Sequence, residues 1–418
     1  MNAVATPSLT FARRTCRLCG ASALNKAVPL PALPVASPNV GRGPTVAETA
    51  PADLHQCGDC GFMQLETVVN PEFQYRDFRY STGISLGLRE HFGDLVRTLA
   101  RRGDIGPGRF VFDIGSNDGS LLRVARELGA RVLGIDPAER IARAATAGGI
   151  PTIGDFFTAA KGRAVAAAHG PADVVVSNNT VANIDDLDDF FRGIDAVLAP
   201  AGLVVIETQY ALDVLEKTLL DVIYHEHVSY FAVAPMRRFL AARGFELVDA
   251  ETIAPKGGSI RFLAQRRGGP RAVGPRVGEL IAREERAGLY SGGLFDAFNA
   301  RVATVGRELR ARLAASRETT GRALAYGASV GCAALVHYFG LAPHLDAVYD
   351  DTPLTDCLRT GQGGIPVLGG AELAKEPPTD VAVLAWRYAD AIAERQQEFR
   401  RAGGRFYRAL PDLAFVGG

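Results

Sequence analysis

The stretch that decides the fold is Val111-Phe112-Asp113-Ile114-Gly115-Ser116-Asn117-Asp118-Gly119. A short apolar run ends in a turn with two glycines, and residues 121–128 then follow a helical pattern. Glycines let the backbone pass close to a ligand, and the N-terminus of the helix offers N–H groups without partners. This order of strand, turn and helix predicts a nucleotide-type binding unit.

Similar units follow along the chain. Further strands are predicted at residues 131–135, 173–177 and 203–207, with a helix at 187–198. Continuous apolar runs separated by helices predict a doubly wound parallel sheet. A closing antiparallel pair is predicted at residues 245–249 and 259–265. A helical stretch over residues 277–316 then leads to a second α/β unit, with strands at 322–326, 346–349 and 380–384.

The size and charge of the chain narrow its class. A chain of 418 residues is too long for one core, so we predict domains at residues 1–75, 76–267 and 268–418. Lys+Arg and Asp+Glu both number 46, and this balance disfavours an extended nucleic-acid interface. No apolar run reaches the roughly 18 residues of a membrane span. Because residues 1–14 also lack the pattern of a secretory signal, we expect a cytoplasmic protein that binds neither nucleic acid nor membrane.

Three acids near the predicted strand ends indicate the ligand. Asp113 can contact the amino group of a cationic amino acid moiety, and Asp136 can accept hydrogen bonds from a ribose diol. Asp155 and Phe156 follow the third segment, where they would meet an adenine. Together they predict S-adenosylmethionine (SAM); the alternative is a tight turn with Asp136 as a helix cap. The predicted SAM-binding residues are Asp113, Gly115, Ser116, Asn117, Asp118, Asp136, Asp155, Phe156 and Asn178.

Four of the six cysteines form two C-x-x-C pairs, Cys16/Cys19 and Cys57/Cys60. Each pair places two thiolates on a tight turn, and two such turns can complete a tetrahedral Zn–S4 site. With no vacant coordination position, the zinc would be structural. The alternative is a redox C-x-x-C, for which the chain offers no thioredoxin-like context.

Together with four further segments of the sequence, these features form a pattern that resembles a known family. They are Tyr224-His225-Glu226-His227-Val228-Ser229-Tyr230, Gly257-Gly258-Ser259-Ile260-Arg261, Tyr326-Gly327-Ala328 and Leu384-Ala385-Trp386. In this order they resemble the nucleotide-sugar C-3 methyltransferases of deoxysugar biosynthesis, over residues 14–413. The resemblance implies an α/β protein with an N-terminal zinc-binding domain, a central SAM-binding Rossmann-like domain and a C-terminal Rossmann-like domain. The implied acceptor is a dTDP-4-keto-6-deoxysugar, methylated at carbon 3 in antibiotic pathways.

The resemblance also implies roles for individual residues. Methylation of a carbon next to a ketone needs a base for the α-proton and stabilisation of the enolate. The family places the base at His227, supported by Tyr224 and Glu226, which would share a face if the segment is extended. A sugar-contacting tyrosine is assigned to Tyr80, with Tyr75 and Phe78 as alternatives. One of His225 and His227 can instead be a buried core residue, and this alternative suits His225 better. The predicted substrate-binding residues are Lys256, Ser259, Arg261, Tyr326 and Trp386.

The chain departs from the family pattern at three places. Asn183 stands where the family commonly has a histidine; an amide can hydrogen-bond an enolate but cannot relay a proton. Lys256 replaces the histidine that usually precedes Gly-Gly-Ser, and residues 355–363 differ from the usual basic loop. We therefore expect that the sugar, the nucleotide or the reaction outcome can differ. Two other classes of function stay open. One is an NAD(P)-dependent oxidoreductase or epimerase that uses the turn after Tyr326, and the other is a non-catalytic zinc module.

Overall fold

The computed structural model describes residues 8–35, 49–78, 81–84, 87–352, 357–360 and 363–417. The chain forms two compact units, each built from several segments. The first unit takes its described residues from Met1–Asn25, His55–Leu212 and Glu226–Tyr290. The second takes them from Lys26–Leu54, Asp213–His225 and Ser291–Gly418. The three-domain boundaries after residues 75 and 267 stay a prediction.

The N-terminal segment consists of short strands around the two cysteine pairs. Its elements are β1 (Thr10–Ala12), β2 (Leu24–Val28), β3 (Leu33–Pro34), β4 (Thr49–Ala50), β5 (Leu54–Cys57), β6 (Met63–Leu65), β7 (Thr67–Val69) and helix α1 (Pro71–Tyr75). β1 pairs antiparallel with β7, and β3 pairs antiparallel with β4. Helix α1 begins after Asn70, whose side chain accepts a hydrogen bond from the Glu72 backbone N–H.

The central segment alternates strands and helices. It contains α2 (Leu88–Arg101), β8 (Phe110–Ile114), α3 (Ser120–Glu127), β9 (Arg131–Ile135), α4 (Glu139–Ala147), β10 (Thr152–Ile153), α5 (Ala159–His169), β11 (Ala172–Asn178), α6 (Leu187–Val197), β12 (Leu198–Gln209), α7 (Ala211–Glu216), β13 (Ser229–Tyr230), α8 (Val233–Ala242), β14 (Phe245–Ile253), β15 (Ser259–Arg266) and α9 (Pro275–Arg286). Short 3-10 helices lie at Thr82–Ile84, Val181–Asn183, Leu220–Val222 and Pro255–Gly257.

The seven-stranded sheet of the first unit has the order β10-β9-β8-β11-β12-β15-β14. Its first five strands are parallel, and β15 and β14 close it as an antiparallel pair. All five residues of β8 are buried because helices cover both faces of a parallel sheet. The predicted strands at 110–114 and 131–135 match β8 and β9, and the predicted closing pair is also confirmed.

The order of the strands positions the functional residues. β8, β9 and β11 all run the same way, so their carboxyl ends meet at one edge of the sheet. Ligands of open α/β sheets bind at this edge. On one face of the sheet, α2 and α3 contribute Leu95, Leu99, Leu121 and Leu122 to a buried apolar cluster that fixes the sheet beneath the edge.

The second unit contains another α/β sheet, of order β18-β19-β17-β16-β20-β21. Its elements are α10 (Gly293–Thr320), β16 (Leu324–Tyr326), α11 (Val330–Tyr338), β17 (Ala347–Asp350), β18 (Cys357–Thr360), β19 (Gly363–Gly369), β20 (Asp380–Val383), α12 (Ala389–Arg395), α13 (Gln397–Arg401) and β21 (Arg405–Arg408). Further 3-10 helices lie at Ala342–His344, Gly370–Lys375 and Trp386–Tyr388. β18 is antiparallel to β19, and the other pairs are parallel. Among the described residues, no helix is both long and apolar enough to cross a membrane.

Candidate functional site

A cavity of about 510 Å³ opens at the carboxyl ends of β8, β9 and β11 in the first unit. Its volume lies within the range of small-molecule sites, which is about 300 to 1,000 Å³. Ten of the residues predicted from the sequence line it: Asp113, Gly115, Ser116, Asn117, Asp136, Asp155, Phe156, Asn178, Asn183 and Lys256. The fold thus brings together almost the whole predicted SAM set in one cavity.

The glycine-rich turn needs its first glycine for two reasons. Gly115 has φ +77°, a conformation that side chains other than glycine rarely adopt. A Cβ there would lie 2.0 Å from Thr180 Oγ1, so a side chain has no room. The Gly115 N–H donates to the Ile135 carbonyl at 2.8 Å, which ties the turn to β9. The turn therefore presents backbone to the cavity.

Two carboxyl groups lie buried beneath this turn. Burial raises the pKa of Asp113 to about 8, and the neighbouring Asp136 adds to the rise. Burial also raises the pKa of Asp136, while hydrogen bonds from backbone N–H groups oppose the rise. The Asp136 carboxylate accepts from the N–H groups of Asn117 and Ala138, each at 2.9 Å. Asp136 thus holds the turn in shape, and its contact with a ribose stays a prediction.

Two polar side chains of the cavity lack partners among the described residues. Asn178 is 8% exposed, and neither of its amide atoms is hydrogen-bonded. Ser116 Oγ is buried and also without a partner. Leaving such groups unpaired costs about 1 to 3 kcal/mol each. Because both residues line the cavity, a polar ligand there is the natural source of their missing hydrogen bonds.

The predicted adenine contacts lie among charged groups. Asp155 forms ion pairs with Lys161 at 2.7 Å and with Arg76 at 3.3 Å. The Lys161 hydrogen bond is the main cause that lowers the pKa of Asp155. The Arg76 guanidinium lies 4.6 Å from the centre of the Phe156 ring. The carboxylate is therefore ionised and Phe156 has one covered face.

Asp118 and Asn117 serve a purpose that sequence reasoning missed. The Asp118 carboxylate accepts from Ser81 Oγ at 2.7 Å and from the Gly83 N–H at 3.2 Å. Asn117 Oδ1 accepts from the Thr82 N–H at 2.8 Å. These side chains fasten the segment before α2 to the turn, and Thr82 from that segment lines the cavity.

The predicted base His227 is buried in the first unit. It is 7% exposed, and Gln209 Nε2 lies 3.1 Å from its Nε2. Residues 224–226 form a bend and a turn, and the strand begins only at Ser229. The condition that the segment is extended is therefore not met, because this stretch turns before it joins β13.

Glu226 is buried beside His227. Burial raises the pKa of Glu226 to about 7, against the lowering effect of the Lys256 charge and of a hydrogen bond from Gln74. Gln74 Nε2 donates to Glu226 Oε1 at 3.2 Å. Glu226 is therefore a carboxyl group that can hold or release a proton near neutral pH.

Tyr75, which the sequence raised only as an alternative to Tyr80, lies in the cavity. Its hydroxyl donates to the Glu226 carbonyl at 3.2 Å and is hydrogen-bonded to the side chain of Asn183. Burial and the Glu226 charge raise its pKa well above the usual value. It lines the cavity together with Phe78. Tyr80, the residue assigned from the resemblance, lies outside the described residues.

Tyr224 and His225 belong to the second unit. Tyr224 packs with Tyr338 against a small apolar cluster. His225 is buried, and its Nε2 lies 3.0 Å from the Pro51 carbonyl oxygen. Burial lowers the pKa of His225, so its ring is neutral near pH 7. This is the satisfied core histidine that the sequence allowed.

The Gly-Gly-Ser element places its three candidate residues differently. Lys256 lines the cavity and has φ +60°. Ser259 Oγ instead donates to the Pro255 carbonyl at 3.0 Å, which closes the turn locally. Arg261 pairs with the buried Glu207 and with Glu251. Of these three candidates, only Lys256 lines the cavity.

The second unit contains the other two substrate candidates. The Tyr326 hydroxyl donates to Asp351 and accepts from Gln396 Nε2 at 3.1 Å. Trp386 Nε1 is buried with no partner among the described residues. The divergent loop at residues 355–363 lies partly outside the described residues.

The four cysteines of the two C-x-x-C pairs converge in the first unit. Their Sγ atoms all lie within 4.8 Å of one another. Cys16 Sγ is 3.5 Å from Cys60 Sγ, and Cys19 Sγ is 3.6 Å from Cys57 Sγ. Zn–S bonds of about 2.3 Å in a tetrahedron place sulfurs about 3.8 Å apart. The cluster therefore fits a structural Zn²⁺ ion.

Comparisons with known proteins cover most of the chain. Residues 16–75 match a family described as a putative zinc binding domain, 88–250 a methyltransferase domain, and 254–411 a C-methyltransferase C-terminal domain. The chain is 31% identical over 401 residues to C-methyltransferase NovU from Streptomyces niveus, which covers 95% of each chain.

Two similar solved structures each match less than half of this chain. Magnesium protoporphyrin IX methyltransferase from Synechocystis, with bound SAM, is 16% identical over 44% of this chain and 81% of that one, with a TM-score of 0.34. The Haloferax volcanii complex of the Trm112 activator with a putative methyltransferase is 16% identical over 45% of this chain and 99% of that one, also with a TM-score of 0.34.

The family matches confirm the predicted α/β fold, the zinc-binding domain with its four cysteines and the SAM-binding methyltransferase domain. The relationship to NovU extends over nearly the full length of both chains, at an identity above that of chance similarity. The chain therefore belongs to the SAM-dependent C-methyltransferases that carry an N-terminal zinc-binding domain.

Proposed function

We propose that this C-methyltransferase methylates the carbon next to the ketone of a nucleotide-linked 4-keto-deoxysugar. The observation that carries the proposal is the Tyr75 hydroxyl, which lines the cavity and contacts both the Glu226 carbonyl and the Asn183 side chain, with the buried His227 next to Glu226 in the chain. These are groups that can take up a proton and hydrogen-bond an oxygen, which is what carbon methylation beside a ketone requires. Similarity to NovU, named as a C-methyltransferase, supports carbon as the acceptor atom.

His227 is proposed as the base that removes the α-proton. An imidazole ring in its neutral form can accept a proton, and Gln209 Nε2 lies 3.1 Å from Nε2 and 3.4 Å from Nδ1 of this ring. SAM, when bound, supplies an electrophilic methyl group. The residues proposed to hold it are Asp113, the turn from Gly115 to Asp118, and Asn178.

Tyr75 and Asn183 are proposed to face the oxygen that becomes negative. Asn183 lines the cavity, and its Nδ2 carries the N–H groups that can donate to such an oxygen. The Tyr75 hydroxyl has one proton, which it donates to the Glu226 carbonyl in the ligand-free protein, and we propose that it turns this donor to the acceptor oxygen as charge develops there. The assignment of Tyr80 from the resemblance stays a prediction, because Tyr80 lies outside the described residues.

The second candidate function is methylation of an acceptor that differs from the family's keto-sugar, and Lys256 is the residue that favours it. It brings a permanent positive charge into the cavity, where the resemblance leads one to expect a histidine. A cation there can pair with a carboxylate or phosphate of the acceptor, which an uncharged keto-sugar ring lacks. In the second unit, Tyr326 and Trp386 are proposed to contribute to nucleotide binding, because the Trp386 indole N–H is a buried donor without a partner.

The test is a screen of dTDP-, GDP- and UDP-linked 4-keto-deoxysugars with methyl-labelled SAM, read by mass. A product with one added methyl group on carbon is expected for at least one keto-sugar. Without SAM, the wild type should exchange the α-proton with deuterium from the solvent, and His227→Asn should not. His225→Asn is the matched control, since its ring binds the Pro51 carbonyl. Normal exchange by His227→Asn would remove it as the base, and methylation on oxygen alone would refute the proposed reaction.

A further inference from the structure

A buried arginine lies inside the first cysteine pair. Arg17 stands between Cys16 and Cys19, and its side chain has no exposed surface. Burying a guanidinium is costly unless its N–H groups are paired. A zinc knuckle needs only its cysteines and a tight turn, so the contacts of this arginine serve a different purpose.

The guanidinium binds three acceptors that come from distant parts of the chain. Its Nη1 donates to the Leu65 carbonyl at 2.7 Å and to the Val228 carbonyl at 3.0 Å. Its Nε donates to Asp185 Oδ1 at 2.9 Å. All four residues belong to the first unit. The donors of a guanidinium have a fixed planar geometry, so three acceptors bound to it are fixed relative to one another.

Two of these acceptors adjoin the reaction site. Val228 follows the proposed base His227 directly in the chain. Asp185 lines the cavity and lies two residues after Asn183. Arg17 therefore holds the backbone on the carboxyl side of the base and the segment that carries Asn183. On the side of the ring, Gln209 Nε2 lies 3.1 Å from His227 Nε2.

A second connection supports the first. Gln64 is fully buried, and its Oε1 accepts from the Arg17 N–H at 2.9 Å while its Nε2 donates to the Thr15 carbonyl at 3.1 Å. Gln64 pairs with Ser229 where β6 meets β13, the strand that follows His227. The backbone of the zinc knuckle is thus joined to the same strand by two independent sets of hydrogen bonds.

We propose that Arg17 is a positioning residue through which the zinc knuckle orders His227 and the Asn183 segment. Cys16 and Cys19 would hold a bound Zn²⁺ ion, which would stiffen the backbone between them, and this backbone directs the guanidinium to its three acceptors. The effect on turnover rests on the proposed function of His227. The effect on the position of His227 does not, so the two can fail separately.

The test compares Arg17→Gln and Arg17→Lys with Arg14→Gln in the full chain. Arg14 is the matched control: its side chain is 80% exposed, and its nearest acid, Glu66, is 3.9 Å away. Each variant is measured for zinc content, SAM affinity and thermal midpoint. The pH titration of His227 is followed by NMR on histidine-labelled protein, with the resonance assigned by its loss in His227→Asn. Turnover is measured with dTDP-4-keto-6-deoxyglucose, or with the keto-sugar that gives product in the screen.

Arg17→Gln should keep one zinc per chain but change the chemical shift and titration of His227. Its kcat should fall about 10- to 100-fold with KM within about threefold, as for displaced catalytic groups. Arg17→Lys should lie in between, because an ammonium keeps the charge but lacks the planar arrangement of donors. Arg14→Gln should match the wild type in every measurement.

An Arg17→Gln protein that holds zinc and has the His227 titration and kcat of Arg14→Gln would overturn the inference. A loss of activity that only follows the loss of zinc or of folded protein would overturn it too, since that is a merely structural role. If His227 is displaced but turnover persists, the positioning stands and the proposed base fails. Should Arg17→Gln not fold, Asp185→Asn removes the charge of one acceptor and must shift the His227 resonance in the same direction.

Discussion

Asp113 allows a quantitative prediction about SAM binding. Burial raises its pKa from 3.8 to about 8, so about nine-tenths of the free protein carries a proton there at pH 7. A SAM ammonium group beside Asp113 would favour the ionised carboxylate and drive this proton off. We therefore expect SAM binding at pH 7 to release about 0.9 proton, and SAM affinity to rise with pH up to about 8.

The same pKa shift determines the sign of the stability effect. A carboxyl group whose pKa is raised in the folded state stabilises the fold fully below its unfolded pKa, and this contribution is lost as pH rises through the folded pKa. For Asp113 the loss runs from about pH 4 to about pH 8 and amounts to roughly 4 kcal/mol at pH 7. Asp113→Asn abolishes this loss, so the ligand-free variant should gain stability while SAM binds about 100-fold more weakly, roughly 3 kcal/mol.

Isothermal titration in phosphate and in Tris measures the proton release, because the two buffers differ in ionisation enthalpy. Thermal unfolding of the ligand-free proteins measures the stability change. Asp155→Asn is the control in the same cavity: the pKa of Asp155 is lowered, so it carries no proton to release at pH 7. SAM binding with equal heats in both buffers, or wild-type SAM affinity in Asp113→Asn, would refute the reasoning.

Three further results are expected. Cys57→Ser should lower the zinc content below about half an equivalent per chain and cost several kcal/mol of unfolding free energy. Cys332→Ser lies outside the cluster and should keep the metal. A full equivalent of zinc in Cys57→Ser would speak against the S4 site. Gly115→Ala should abolish SAM binding in titration, because the added Cβ would clash with Thr180. Gly103→Ala is the control: Gly103 has φ +80° but no atom within 4 Å of its added Cβ, so the variant should cost only roughly 1 kcal/mol of backbone strain. Equal losses of SAM affinity in the two variants would contradict the clash. Glu226→Gln should remove a fall in unfolding free energy of about 3 kcal/mol between pH 4.5 and 7, because the raised pKa makes this carboxyl group stabilising only while protonated; unfolding curves across that window decide it.

The strands of the first unit could be predicted because their physical signal is local. Buried parallel strands are continuous apolar runs, and the predicted strands at 110–114 and 131–135 match β8 and β9. The zinc site was equally accessible, since two residues between paired cysteines suffice to define each knuckle. Asp113 could be placed in the cavity from its position at the end of a strand.

Contacts between distant segments could not be predicted in the same way. The hydrogen bond between Tyr75 and the Glu226 carbonyl joins residues 151 positions apart, and no pattern in either segment announces it. No pattern around Arg17 indicates that it is buried, because an isolated arginine usually lies in water. The argument that alternate residues share a face assumed an extended segment at 224–227, where the chain in fact turns. In these cases tertiary contacts override the local pattern.

Local patterns can be recognised in the sequence, whereas contacts between distant segments cannot. The cofactor of this protein can therefore be predicted more fully than its acceptor. The residues proposed to hold SAM lie in one turn and at the ends of adjacent strands, so they carry local signals that survive without an alignment. The side chains proposed to contact the acceptor, Tyr75, Asn183 and Lys256, come from three separate segments that the fold brings into one cavity. Two of these three positions depart from the family pattern, and they exchange titratable histidines for a neutral amide and a permanent cation. Under the proposed mechanism, proton transfer then falls to His227 and Glu226, and we expect the charged cavity to select its acceptor by charge and shape. The acceptor is therefore the property in which this chain has most freedom to differ from NovU.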